Sequence, residues 1–164
     1  MTKYEDIAKL GADYSKRYFE YRGECEEFAR TLARNYSQYL EAPNGALKYL
    51  GLTDDLRANN DLEELSSTPK LVRDADGIYY FGLDLFLQAG GSHSMHQRVA
   101  LGLQKEASAW AVIRDGRKFK VDASNLSGLD ALFDDLLSDA KTQYNLPVNA
   151  QRSEIGFLAT LQSK

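Results

Sequence analysis

Between residues 3 and 41 an apolar side chain recurs every three or four positions. Tyr4, Ile7, Tyr14, Tyr18, Tyr21, Cys25, Phe28, Leu32 and Tyr39 fall on one heptad seam, interrupted only at Gly11 and Asn35. Alternating steps of three and four gather side chains on one stripe of an α-helix, the pattern of a coiled-coil seam. No proline occurs in this stretch, and Pro43 closes it. Thr2 can cap its start, and Glu5 and Asp6 suit the positive end of the helix dipole. Gly11 and Gly23 each weaken a helix by about 1 kcal/mol relative to alanine. The segment is therefore expected as one long helix or as two helices meeting near Gly23. An unbroken helix would run about 55–60 Å at 1.5 Å per residue. A domain of this size is about 40 Å across, so an unbroken helix would protrude.

Tyrosine dominates the seam. Its ring is a large apolar surface, while its hydroxyl needs water or a hydrogen-bond partner. Such residues suit half-wet surfaces and are enriched at protein interfaces. Two readings follow. The rings cover the sheet described next, or Tyr14, Tyr18 and Tyr21 form a recognition surface for another protein.

The second pattern has a period of two. Tyr79, Phe81, Leu83, Leu85 and Leu87 alternate along one strand, and Val99, Leu101 and Leu103 along another. Trp110 and Val112 mark a third, Phe119 and Val121 a fourth. Asp115-Gly116 is the preferred chemistry of a two-residue hairpin. It pairs Val112 with Phe119 and Trp110 with Val121. A tight turn at Lys105-Glu106 would pair Leu101 with Trp110 and Val99 with Val112, again on one face. The expectation is a four-stranded antiparallel meander over 78–122 with one apolar face. The other face carries Ile78, Tyr80, Asp84, Phe86, Arg98, Lys118 and Lys120, a mixed set that calls for partial cover.

A second helix is expected over 124–145. Ser124 or Asn125 can cap it, Leu126, Leu129, Leu132, Phe133, Leu136, Leu137, Ala140 and Tyr144 form its apolar face, and Pro147 limits it. Asp130, Asp134, Asp135 and Asp139 line its other side as an acidic surface. Asn44-Gly45 signals a turn, with a short strand or helical turn over 46–52. The polar stretch 53–69 reads as a surface loop with a helical turn around Leu62. In the tail, Ile155 to Leu161 reads as a docking strand or helix.

Composition narrows the function classes. The chain has 164 residues and a net charge of −4, which argues against a general nucleic-acid binder. One cysteine excludes an internal disulfide, and no Cys/His spacing suits structural zinc. No apolar run approaches a membrane span, and the first residues lack a signal-peptide h-region. A cytoplasmic location and one domain spanning 1–164 are the expectation.

Candidate chemistry is sparse. His93 and His96, the only histidines, fall in a glycine-rich stretch read as a hairpin loop. A metal there would need a third ligand, and none has a motif spacing. Asp84, Lys105 and Glu106 invite comparison with metal-dependent nuclease cores, but the Asp/Glu-x-Lys order is absent, and two-metal chemistry needs more carboxylates. Cys25 reads as a packing residue, because a nucleophilic thiol needs a nearby base or helix N-terminus. The Gly90-Gly91 pair has no phosphate-loop context.

These readings converge on an α+β fold. A long or broken N-terminal helix precedes the meander, and a C-terminal helix packs on it. No cofactor, no metal and no catalytic residue is called. The leading function is a non-enzymatic interaction module of adaptor, chaperone, immunity or inhibitor type, whose partner is another protein. Its candidate contacts are Tyr14, Tyr18, Tyr21, Asp130 and Asp134. One alternative is a small enzyme or metal- or ligand-binding domain around His93, His96 and Asp84. The other is a self-associating structural protein that forms a homodimer through the N-terminal helix.

Overall fold

Lys3–Tyr39 forms a single unbroken helix, α1. This is from a computed structural model that describes residues 1–59, 65–88, 93–145 and 157–161, with residues 93–94 and 157–161 described by backbone alone. A capping box starts the helix: the Glu5 amide donates to the Thr2 hydroxyl and the Thr2 amide to the Glu5 carboxylate. The helix passes through Gly11 and Gly23 without interruption, so of the two expected forms it is the single long helix that is present.

The remaining described elements are strands β1 Leu47–Leu50, β2 Leu65–Ser66, β3 Val72–Arg73, β4 Tyr79–Gln88, β5 His93–Glu106, β6 Ala109–Arg114 and β7 Arg117–Asp122, helix α2 Leu129–Asn145, and strand β8 Phe157–Leu161. The architecture is α+β with an antiparallel sheet, but the sheet exceeds the expected four strands. Six run side by side in the order β2-β1-β4-β5-β6-β7, with β3 pairing on β4 and β8 on β5. The long β5 is the spine. One edge pairs with β4 from Ser94 to Gly102 and Leu103, and the other is shared by β8 at its start and β6 at its end. The tail thus docks as a strand; the proposed helical turn around Leu62 falls outside the described residues.

The Asp115-Gly116 hairpin holds as expected, with Trp110 opposite Val121 and Val112 opposite Phe119. Both turn residues have positive φ, 50° and 74°, as this hairpin requires. The preceding turn differs. It falls at Ala107-Ser108, so Leu103 pairs with Val112 and Lys105 with Trp110, in place of the expected partners Val99 and Leu101. Each of β5's partners moves by an even number of residues, which leaves every side chain on its expected face.

That apolar face is covered by two helices side by side. The C-terminal half of α1 presents Cys25, Phe28, Ala29, Leu32, Ala33 and Tyr36, and α2 presents Leu129, Leu132, Phe133 and Leu136. These merge with Tyr79, Phe81, Leu83, Leu101, Leu103, Trp110, Val112 and Val121 into one buried cluster. Phe28 stacks on Trp110 with ring centroids 4.5 Å apart and planes 6° from parallel. The helix α2 begins at Leu129, later than the expected Ser124 or Asn125. Leu126 and Gly128 adopt positive φ, 58° and 103°, which no α-helix tolerates. The Asp122 carboxylate instead accepts the Ser124 and Asn125 amides, closing a turn.

The second face is partly covered, as its mixed composition implied. Residues 50–59 fold back over it, closed by a bridge between Leu52 and Ala58. Gly82 permits this approach, since a Cβ there would meet the Leu50 carbonyl oxygen at 2.5 Å. Gly82→Ala is expected to lower stability by about 1–3 kcal/mol through overpacking. Gly23→Ala, where nothing lies within 4 Å, is expected to raise it by up to about 1 kcal/mol. Thermal unfolding of both variants checks the pair of opposite signs.

Candidate functional site

Two features concentrate chemistry. The first is the N-terminal half of α1. Every residue before Tyr18 is exposed, so the first turns of the helix stand clear of the sheet. Tyr4 is 81% exposed, Ile7 70%, Leu10 67% and Tyr14 58%. Phe19 is also largely exposed and meets Tyr18 edge-on, with centroids 5.3 Å apart. The apolar seam therefore runs off the protein and continues into solvent as an arm.

The candidate tyrosines divide along this line. Tyr14 belongs to the free arm. Tyr18 and Tyr21 are half-buried and pack against the core. The Arg73 guanidinium lies over the Tyr18 ring at 5.4 Å, and the Lys105 amide donates to the Tyr21 hydroxyl at 3.1 Å. Leu10 and Phe19 sit off the strict heptad seam and were missed by it. Leu10 lies beside the seam, three residues from Ile7 and four from Tyr14, whereas Phe19 is about 100° around the helix from Tyr18.

The acidic side of α2 is less open than its sequence suggests. Asp135 binds Arg117 through both oxygens at 2.8 and 2.9 Å and also pairs with the buried Arg114, whose Nη2 reaches Asp139 at 2.7 Å. Asp134 accepts the Tyr39 hydroxyl. Asp130 is exposed in the first turn of α2, where the helix dipole favours an anion. Of the four aspartates, two are spent on arginines within the fold.

The second feature is polar and buried. Asp84 on β4 lies opposite Arg98 on β5. Its carboxylate accepts Arg98 Nε at 2.9 Å and His96 Nδ1 at 2.9 and 3.1 Å. Arg98 Nη1 donates to the Asn59 carbonyl at 2.8 Å. All three side chains are buried, and Phe86 meets the His96 ring edge-on at 5.2 Å. Asp84 and His96, named together from sequence, are thus in direct contact. Arg98 completes the group and was not included; its signal was its position opposite Asp84 in the hairpin. His96 is not in a loop, because β5 begins at His93. The two histidines are three positions apart on one strand, which is not the two-residue step of a shared face. The His93 side chain lies outside the described residues.

The Asp84 contact holds the His96 ring with Nδ1 carrying a proton, an arrangement that can orient a general base. No thiol is near: Cys25, the only cysteine, packs under α1 on the opposite face of the sheet. Among the described residues no group of three or more His, Cys, Asp or Glu side chains gathers to hold a metal. Glu106 and Lys105 lie eight and seven residues further along β5 than Arg98, about 25 Å away at strand rise. They pair instead with Lys118 at 3.7 Å and Glu24 at 2.8 Å, so the nuclease-like set does not converge. Among the described residues, Arg98 Nη2 has no hydrogen-bond partner.

The chain matches no protein-family model, no curated protein and no solved structure.

Asp84→Ala would leave the Arg98 charge buried without its partner and is expected to cost about 3–5 kcal/mol, measured by urea unfolding. Burial pushes the Cys25 thiol from about 9 up to about 11. Its contribution to stability is therefore full below pH 9 and is lost as pH rises through 11. The expected outcome is that iodoacetamide leaves Cys25 unmodified at neutral pH in the folded protein and alkylates it in urea, as mass spectrometry would show.

Proposed function

We propose that this protein is a non-enzymatic, cytosolic protein–protein interaction module that docks through the free half of α1. One observation carries the reading: the helix leaves the core at Tyr18 and continues for four turns with Tyr4, Ile7, Leu10 and Tyr14 exposed on one side. A monomeric soluble protein rarely exposes a contiguous apolar stripe without a use for it, and such stripes mark interaction sites. Large rings on a rigid helix are also typical interface anchors. Asp130 and Asp134 provide a secondary contact at the far end of α1, where Tyr39 meets α2.

A second reading, a ligand or catalytic site around His96 and Asp84, has their direct contact in its favour. The group is enclosed and its carboxylate is engaged by the Arg98 guanidinium and the His96 ring, which fits a structural role as well.

The test compares the wild-type chain with an Ile7→Asp/Tyr14→Asp variant in affinity purification from the native cell, with solution mass measured on the same samples. Both sites are exposed, so the variant is expected to keep wild-type stability within about 0.5 kcal/mol. A stoichiometric partner should accompany the wild type, be lost from the arm variant, and survive His96→Ala. A monomer that captures nothing overturns the reading.

A further inference from the structure

We propose that the occupant of the free arm is a second copy of this chain, lying antiparallel to the first, with Gly11 of each arm receiving Tyr14 of the other. The inference rests on the docking role of the arm and identifies its partner.

Gly11 is the first observation. It sits inside a regular helix, has no positive φ to require a glycine, and nothing lies within 4 Å of where its Cβ would be. A glycine here costs about 1 kcal/mol relative to alanine, and nothing among the described residues accounts for it. It opens a gap on the apolar seam between Ile7 and Tyr14. The antiparallel register that sets seam against seam places the second copy's Tyr14 over that gap. A large ring then packs against a residue with no side chain, twice by symmetry. Ala8 and Ser15 flank the seam on one side and let the backbones approach.

Charge is the second observation. Asp6 and Arg17 are eleven residues apart, close to three full turns, so they share one flank of the arm. An antiparallel pair brings Asp6 of one copy to Arg17 of the other at both ends. A parallel pair would leave the Asp6 and Arg17 of each copy on opposite sides of the seam, where neither meets the opposite charge. The antiparallel arrangement also opposes the two helix dipoles. The seam itself is continuous with the stripe that already packs on the sheet from Cys25 to Tyr36. The free stretch Lys3–Arg17 is about 22 Å long, enough for the arms to overlap over most of their length.

The test is sedimentation equilibrium on the full chain across the micromolar range, with circular dichroism on the same samples. The wild type should approach about twice the chain mass of 18.4 kDa. Gly11→Gln should raise or hold helix content yet weaken the dimer at least tenfold, because the side chain fills the gap. Asp6→Arg and Arg17→Asp should each weaken it about threefold to tenfold at low salt, and the double swap should restore it. A wild type that stays monomeric, a dimer indifferent to Gly11→Gln, or a swap that fails to restore association overturns the proposal. If the wild type is monomeric and a captured partner still requires Ile7 and Tyr14, the second copy is excluded while the docking role stands. If neither self-association nor capture depends on the arm, both fall.

Discussion

The stack of Phe28 on Trp110 determines where the long helix can sit. The rings lie almost parallel at 4.5 Å, and Trp110 is held on β6 between β5 and β7. With that contact made, the helical repeat brings Cys25, Leu32 and Tyr36 onto the sheet in turn. The Tyr36 hydroxyl reaches Gln97 at 2.9 Å, and Gln97 reaches the Leu136 carbonyl at 3.1 Å. One chain of contacts therefore locks α1, β5 and α2 together. Burial pushes the Tyr36 hydroxyl above its usual range, so it remains a donor in that chain. With the seat fixed at Phe28 and the sheet ending near Tyr21, a helix that begins at Lys3 must overhang.

The two faces of the sheet are stabilised differently. The helix side is apolar and gains from area removed from water. The second side depends on a buried carboxylate between an imidazole and a guanidinium. Replacing such a group with apolar residues of similar volume is often neutral for stability, whereas its contacts are met only in this strand register. Asp84 and Arg98 face each other in the hairpin, and a one-residue slip would separate them.

Much of the fold was legible in the sequence. The two-residue period named the strands and their inner face, Asp115-Gly116 fixed one register, and the heptad seam marked α1. The reading of Cys25 as a packing residue agrees with its place in the core. Other features carry weak local signals. The strands Leu65–Ser66 and Val72–Arg73 are too short to show a period. Ala107-Ser108 has no turn chemistry, so the β5–β6 hairpin was displaced. The Gly-Gly-Ser run before His93 hides the start of β5, and left-handed Leu126 delays α2. The seam could not show which of its halves is buried, because Tyr14 and Tyr21 look alike in a periodic pattern. Only the extent of the sheet separates them. The candidate site was less legible: Asp84, His93 and His96 were named as one group with the histidines in a loop, whereas His96 meets Asp84 from within β5, and the engagement of Asp135 and Asp139 by Arg114 and Arg117 depends on β6 and β7 lying beside α2.

The continuity of α1 has a thermodynamic consequence. An isolated helix of fifteen or so residues is marginal in water because its first turn is costly to nucleate. Here the buried half supplies that nucleus, and the outer turns only propagate from it. The arm is therefore already ordered before it meets anything. Association through it loses little conformational entropy, in contrast to segments that fold as they bind. A short, tyrosine-lined stripe can then hold a partner with an area that would be too small for a disordered one.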